Sequence, residues 1–180
     1  MGCYEGLSMF GQRELKELEK ATQIAEEVTT DHFALTDKEW AKSPFFVSTV
    51  GQSTPMVEVP DDCFAHLVYF GKDAEKKDHP VERCGYFKIF VNDPTILKWL
   101  KKRPGFGLLP LLTYVMTHEL VHIARFLRFH CHPLERLKTG EEEIVTRVTH
   151  NILERVKMEG LIPILEYFQS SNRRCEYANI

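Results

Sequence analysis

The sequence has little that would suit a membrane or nucleic acid. No apolar run approaches the roughly 18 to 20 residues of a membrane-spanning helix, and Pro110 interrupts the longest apolar stretch, Gly107 to Met116. The formal charge is only −3, from 26 acidic and 23 basic side chains, so there is no broad positive field for a phosphate backbone. We therefore expect neither a membrane nor nucleic acid as a partner.

Disulfide and targeting patterns are also missing. The five cysteines are an odd number and include no C-x-x-C pair, which argues against a disulfide framework and a zinc ribbon. The first ten residues, MGCYEGLSMF, lack the basic start and apolar middle of a secretory signal. Together these observations predict reduced thiols and a cytoplasmic location.

The 180 residues contain no internal repeat, low-complexity tract or long linker, which favours a single domain. We expect an N-terminal helical segment over 1–43, a core over 44–169 and a polar tail over 170–180. In the first segment, the apolar spacing predicts a helix over Phe10 to Thr29. A capping box formed by Thr36 and Glu39 predicts a second, short helix.

The middle of the chain has strand character. Between Phe45 and Asn92, short runs rich in aromatic and β-branched residues are separated by Gly, Pro and Asp clusters, which predicts a twisted sheet of about four strands; the runs are FFVSTV, MVEV, FAHLVYF and YFKIFV. Helical patterns follow. The order of helix, sheet and then several helices predicts an α+β fold rather than alternating βαβ units.

Proline and capping residues delimit the later helices. Asp93 as N-cap and Pro94 at the first helical position begin one helix, and a longer helix opens at Pro110. A capping box of Thr139 and Glu142 predicts the start of the next. A last short helix is expected near Pro163 to Gln169.

The most informative residues are His118, Glu119 and His122, which form an H-E-x-x-H pattern within the long helix. Residues four apart lie on one helical face, so the two imidazoles can converge on one zinc ion. Glu119 would lie beside them as a base for a metal-bound water. The apolar residues around the pattern predict that this helix is buried, which favours a zinc site over a solvated helix that happens to carry two histidines.

A catalytic zinc needs a third protein ligand, and the sequence offers several. One is the acidic run Glu141, Glu142 and Glu143 on the next helix, although acids in a first turn also suit the helix dipole. Another is Cys84, upstream of the pattern. His130 and His132 do not have the spacing of the H-E-x-x-H-x-x-G-x-x-H pattern, in which Arg128 stands at the third histidine position.

On these residues the chain resembles the zincin metallopeptidases, and within them the gluzincins, in which a Glu on the following helix completes the metal site. The resemblance covers Tyr114 to Leu153. A weaker resemblance, of architecture alone, begins at Phe45: a sheet is followed by an active-site helix and then by a helix that carries the glutamate. It implies a zincin-like α+β fold, a bound Zn²⁺ and hydrolysis of peptide bonds in peptide or protein substrates.

The thermolysin-like pattern helps to rank the three glutamates. There the ligand Glu is followed by two apolar residues, a small hydroxyl residue and an Asp. Glu143 is followed by Ile144, Val145 and Thr146, which fit, whereas Arg147 stands where the Asp is expected. The resemblance therefore implies His118, His122 and Glu143 as metal ligands, with Glu142 as the second choice for the third position.

The resemblance also implies roles for other residues. Glu119 would be the general base, and a His or Tyr would stabilise the oxyanion. His150, which lies seven residues after Glu143, is our candidate for that role, followed by His132 and Tyr167. The strand Gly85 to Val91 is expected at the edge of the sheet, where it could pair with an extended substrate.

Two alternatives remain open. A peptide-deformylase-like hydrolase would take Cys84 as its third ligand, but the glycine-rich loop and the E-G-C-L-S sequence of that family are absent. A non-catalytic zinc-binding interaction module is the other. The presence of Glu119 argues against an interaction module, because a structural zinc site needs a fourth ligand and has no use for a general base.

Overall fold

The structure is a computed structural model that describes residues 8–52, 60, 63–70, 85–129 and 140–171. Within these residues the chain forms six α-helices, three β-strands and a short 3₁₀ turn at Val50–Gln52. In chain order the elements are α1 (Gln12–Phe33), α2 (Asp37–Lys42), β1 (Phe45–Thr49), β2 (Ala65–Phe70), β3 (Tyr86–Val91), α3 (Asp93–Lys101), α4 (Leu108–Phe129), α5 (Glu141–Leu153) and α6 (Leu161–Ser171). The expected α+β class is confirmed.

The helix starts agree in part with the local signals. Thr36 caps α2, and its backbone N–H donates to the Glu39 carboxylate at 2.8 Å, so that capping box is confirmed. At α3 the N-cap is Asn92 rather than Asp93, because the Asn92 side chain accepts from the Thr95 N–H at 3.2 Å. The buried Asp93 carboxylate instead accepts from the Phe10 N–H at 2.9 Å and ties the residues just before α1 to the start of α3.

The three described strands form a mixed sheet in the order β1-β3-β2, with β1 parallel and β2 antiparallel to β3. The expectation that Gly85 to Val91 forms an edge strand is wrong. Since β3 pairs with a strand on each side, its main chain is engaged across the sheet and cannot add a substrate strand. The fourth expected strand, MVEV, lies outside the described residues.

The long helix α4 is the centre of the core. Its fully buried side chains pack with those of α1, β3 and α6 in one cluster. Ala21 and Ala25 of α1 are completely buried, and such small side chains let α1 approach α4 closely. None of the described helices is both long and apolar enough to cross a membrane.

Arg128 fixes the end of α4 to the turn between α1 and α2. Its guanidinium donates to the backbone carbonyls of Phe33 and Ala34 and forms an ion pair with Glu39 at 2.8 Å. Ala34 is the left-handed C-cap of α1, with φ of 48°, so Arg128 binds carbonyls that the helix end leaves open. Arg128, which stands where the H-E-x-x-H-x-x-G-x-x-H pattern has its third histidine, thus joins α4 to the α1–α2 turn.

Two isoleucines of α6 test whether this helix belongs to the core. Ile164 is fully buried, whereas Ile162 is 68% exposed. We expect Ile164→Ala to lower the free energy of unfolding by about 2 to 5 kcal/mol, because it leaves a cavity. Ile162→Ala is the matched control and should change it by less than about 0.5 kcal/mol. Urea titration measures both, and equal effects would contradict the packing of α6.

Candidate metal centre

The two histidines lie one turn apart on one face of α4. Their ring centroids are 5.0 Å apart, as the i, i+4 spacing requires. His118, His122 and Glu119 are all buried, at 4%, 7% and 5% exposure. Burial of three polar side chains in the middle of the core helix is costly unless they have partners.

The first turn of α5 supplies a carboxylate to both rings. Glu142 Oε2 lies 3.2 Å from His118 Nε2, and Glu142 Oε1 lies 3.3 Å from His122 Nε2. Across the part of the chain that is described, these three side chains are the one group of three or more His, Cys, Asp or Glu residues whose ligand atoms all lie within 4.8 Å of one another.

The two nitrogen–oxygen separations are of the size that neighbouring ligands of a four-coordinate metal have. Zinc bonds to histidine nitrogen and carboxylate oxygen of about 2.0 to 2.1 Å place neighbouring ligand atoms about 3.3 Å apart, close to the two separations seen here. The donor set of two imidazoles and one carboxylate is also one that zinc accepts. The Glu142 side chain is 38% exposed, so the cluster is open to solvent on that side.

The electrostatics keep the carboxylate ionised. Burial raises the pKa of Glu142, but its contacts with His118 and His122 together lower that pKa more, so the net pKa lies far below its usual range. An ionised carboxylate is the form that binds a metal cation.

The three consecutive glutamates have three different surroundings. Glu141 accepts two hydrogen bonds from Arg125, at 2.8 and 3.0 Å, Glu142 meets the histidines, and Glu143 is exposed. The structure therefore brings Glu142, and not Glu143, which the resemblance ranks first, to the two histidines. Nor is Glu142 engaged as a capping-box acid, since the N-cap of α5 is Gly140, which supplies no side chain.

At the other end of the α4–α5 contact, His150 approaches the site through Tyr114. The Tyr114 ring lies 6.5 Å from that of His118 and 5.7 Å from that of His150, measured between centroids. His150 is buried, and its Nε2 atom has no hydrogen-bond partner among the described residues. The sequence analysis selected His150 but missed Tyr114. Because Tyr114 lies four residues before His118, the helical repeat already places both on the same face of α4.

An open cavity of about 350 Å³ continues beyond His150, between the end of α5 and α6. Its wall is mainly apolar and includes Leu153, Val156, Met158, Leu161 and Leu165. Because eight residues of helix span about 12 Å, the cluster at Glu142, the His150 ring and this cavity follow one another along α5.

Those of the remaining candidates that the structure describes are not part of this cluster. The Tyr167 hydroxyl accepts a hydrogen bond from Arg103 at 3.2 Å, and its ring packs on Trp99, so Tyr167 belongs to the α3–α6 contact. Arg147 is exposed, and Thr146, which is buried, stands four residues after Glu142. Cys84, His130 and His132 lie outside the described residues.

Comparisons of this chain with protein-family models, with curated proteins and with solved structures found no match.

The surroundings of His150 predict a pH dependence of stability. Burial lowers the pKa of His150, Glu154 raises it and His118 lowers it, and the net pKa is below the ordinary value. Below about pH 6.5 the unfolded chain therefore takes up a proton that the folded ring resists, and stability is lost as the pH falls. This loss should be smaller in His150→Gln.

The measurement is urea unfolding with a chelator present, at about pH 7.5 and about pH 5, for wild type and His150→Gln. Chelation removes any effect of bound metal. Equal changes in the free energy of unfolding between the two pH values in both proteins would contradict this account of His150.

Proposed function

We propose that this chain is a zinc-dependent peptidase of the gluzincin type, in which His118, His122 and Glu142 hold the ion. The observation that carries the proposal is the Glu142 carboxylate, whose two oxygens meet the two Nε2 atoms at 3.2 and 3.3 Å. The H-E-x-x-H pattern and a glutamate on the next helix support it, because both belong to the resemblance.

In this proposal Glu119 and Glu142 have different chemical roles. When bound, zinc supplies Lewis acidity, which polarises a carbonyl and makes a water a stronger acid at neutral pH. Glu119 would act as the general base, taking a proton from the attacking water and giving one to the amine nitrogen as the peptide C–N bond breaks. Glu142 contributes negative charge to the ligand set and keeps the two imidazoles facing one point.

The layout along α5 favours peptides over smaller substrates. The helical rise of about 12 Å from Glu142 to His150 corresponds to three or four residues of an extended chain. His150 itself lines the cavity at the end of α5. This apolar cavity suits a hydrophobic side chain of the substrate.

The alternatives draw less support from the described residues. A non-catalytic zinc module would need a fourth ligand, and the cluster among the described residues offers three. A deformylase-like site would take Cys84 in the position where Glu142 already contacts both histidines. We propose a cytoplasmic setting, in keeping with the cysteine pattern of the sequence.

The first test compares adjacent glutamates. Glu142→Gln should lose most of the bound zinc, because a neutral amide is a far weaker ligand than a carboxylate. Glu143→Gln is the matched control and should retain one equivalent. Elemental analysis of protein purified without chelators measures both. Zinc retained in Glu142→Gln and lost in Glu143→Gln would reverse the assignment of the ligand.

The second test separates metal binding from catalysis. Glu119→Gln should keep zinc at the wild-type level and reduce peptide turnover by about 10²-fold or more, since it removes the general base. Turnover is followed by mass spectrometry on a peptide mixture rich in hydrophobic residues. Zinc-dependent cleavage at the wild-type rate in Glu119→Gln would exclude Glu119 as the base.

A further inference from the structure

Arg125 and Glu141 form a bidentate ion pair at the edge of the cluster. The guanidinium Nε and Nη2 atoms donate to Glu141 Oε1 and Oε2 at 2.8 and 3.0 Å. Both side chains are largely buried, at 15% and 18% exposure. Paired, shielded hydrogen bonds of this kind fix geometry more strictly than an exposed ion pair does.

The position of this pair is specific. Arg125 follows His122 by three residues on α4, and Glu141 directly precedes Glu142 on α5. The Arg125 guanidinium is also held from its own helix, because it lies over the Phe129 ring at 5.5 Å. A rigid group on α4 therefore binds the residue adjacent to the third ligand.

A side-chain cap does not fix the N-terminal end of α5. Gly140 is the N-cap, has a φ of 104° and provides no side-chain cap. Rotation of a helix by one residue turns its side chains by about 100°, which would move Glu142 away from the histidines. A contact on Glu141 opposes such a rotation.

From this geometry we infer that Arg125 and Glu141 are positioning residues that set the rotation of the α5 start, so that Glu142, rather than its neighbours, completes the metal site. The inference rests on the proposed metal site. In this view the Arg125–Glu141 ion pair, which does not itself bind the metal, determines which of the three consecutive glutamates becomes the ligand.

The test measures zinc affinity, by competition with a chromophoric chelator, together with the free energy of unfolding of the metal-free proteins. Arg125→Gln and Glu141→Gln should each weaken zinc binding by about 10- to 100-fold, the range for residues that orient metal ligands. The double variant should lose no more than either single variant, because both substitutions remove the same contact. Arg125→Lys, which keeps the charge without the fork, should fall between wild type and Arg125→Gln.

The chain offers a matched control at a second ion pair made by α4. Glu39→Gln breaks the Arg128–Glu39 ion pair, which is also 2.8 Å long but ties α4 to the α1–α2 turn. Gln still serves the capping box. This variant should bind zinc as wild type does, even if it loses a similar amount of stability.

The outcomes separate the two proposals. If wild type binds no zinc, the metal site fails and the positioning role fails with it. If wild type and Glu39→Gln bind zinc tightly and Arg125→Gln and Arg125→Lys bind it equally well, the positioning role alone is wrong. Losses in the two single variants that add in the double variant would also contradict it.

Discussion

The antiparallel contact between α4 and α5 is the constraint on which the site depends. Two histidines on one helix and a glutamate on another meet only in one register and one rotation of the two helices. An ion pair at one end of the contact and the rings of Tyr114 and His150 at the other bracket the cluster. An apolar group of Val121, Val145 and Ile152 lies between the same helices, with Val28 and Phe33 of α1 packed against it.

The same contact explains how buried polar groups are tolerated in the core. Imidazoles and a carboxylate lose hydration when two helices pack, and their mutual contacts recover part of that cost. A divalent cation shared by the three groups would recover more, since it satisfies the ionised carboxylate and both ring nitrogens together. Metal binding and the packing of α5 on α4 are therefore expected to be coupled.

Local sequence patterns predict the elements better than their arrangement. The proximity of the two histidines can be predicted from the helical repeat alone, because residues four apart on a helix always lie on the same face. The choice among Glu141, Glu142 and Glu143 cannot be predicted from the sequence, because it depends on how α5 is rotated against α4. A run of three acids does not show which of them faces α4. The central place of β3 is equally invisible, since strand order arises from contacts between distant segments.

The central claim is that two histidines and one carboxylate bind the zinc ion. X-ray absorption at the zinc edge of the metal-loaded wild type tests it most directly, because sulfur and lighter ligands differ in bond length. Two imidazoles and one carboxylate should give a nitrogen and oxygen shell at about 2.0 to 2.2 Å, with the multiple scattering of histidine rings. A sulfur shell at about 2.3 Å, or a spectrum without the imidazole signals, would contradict it.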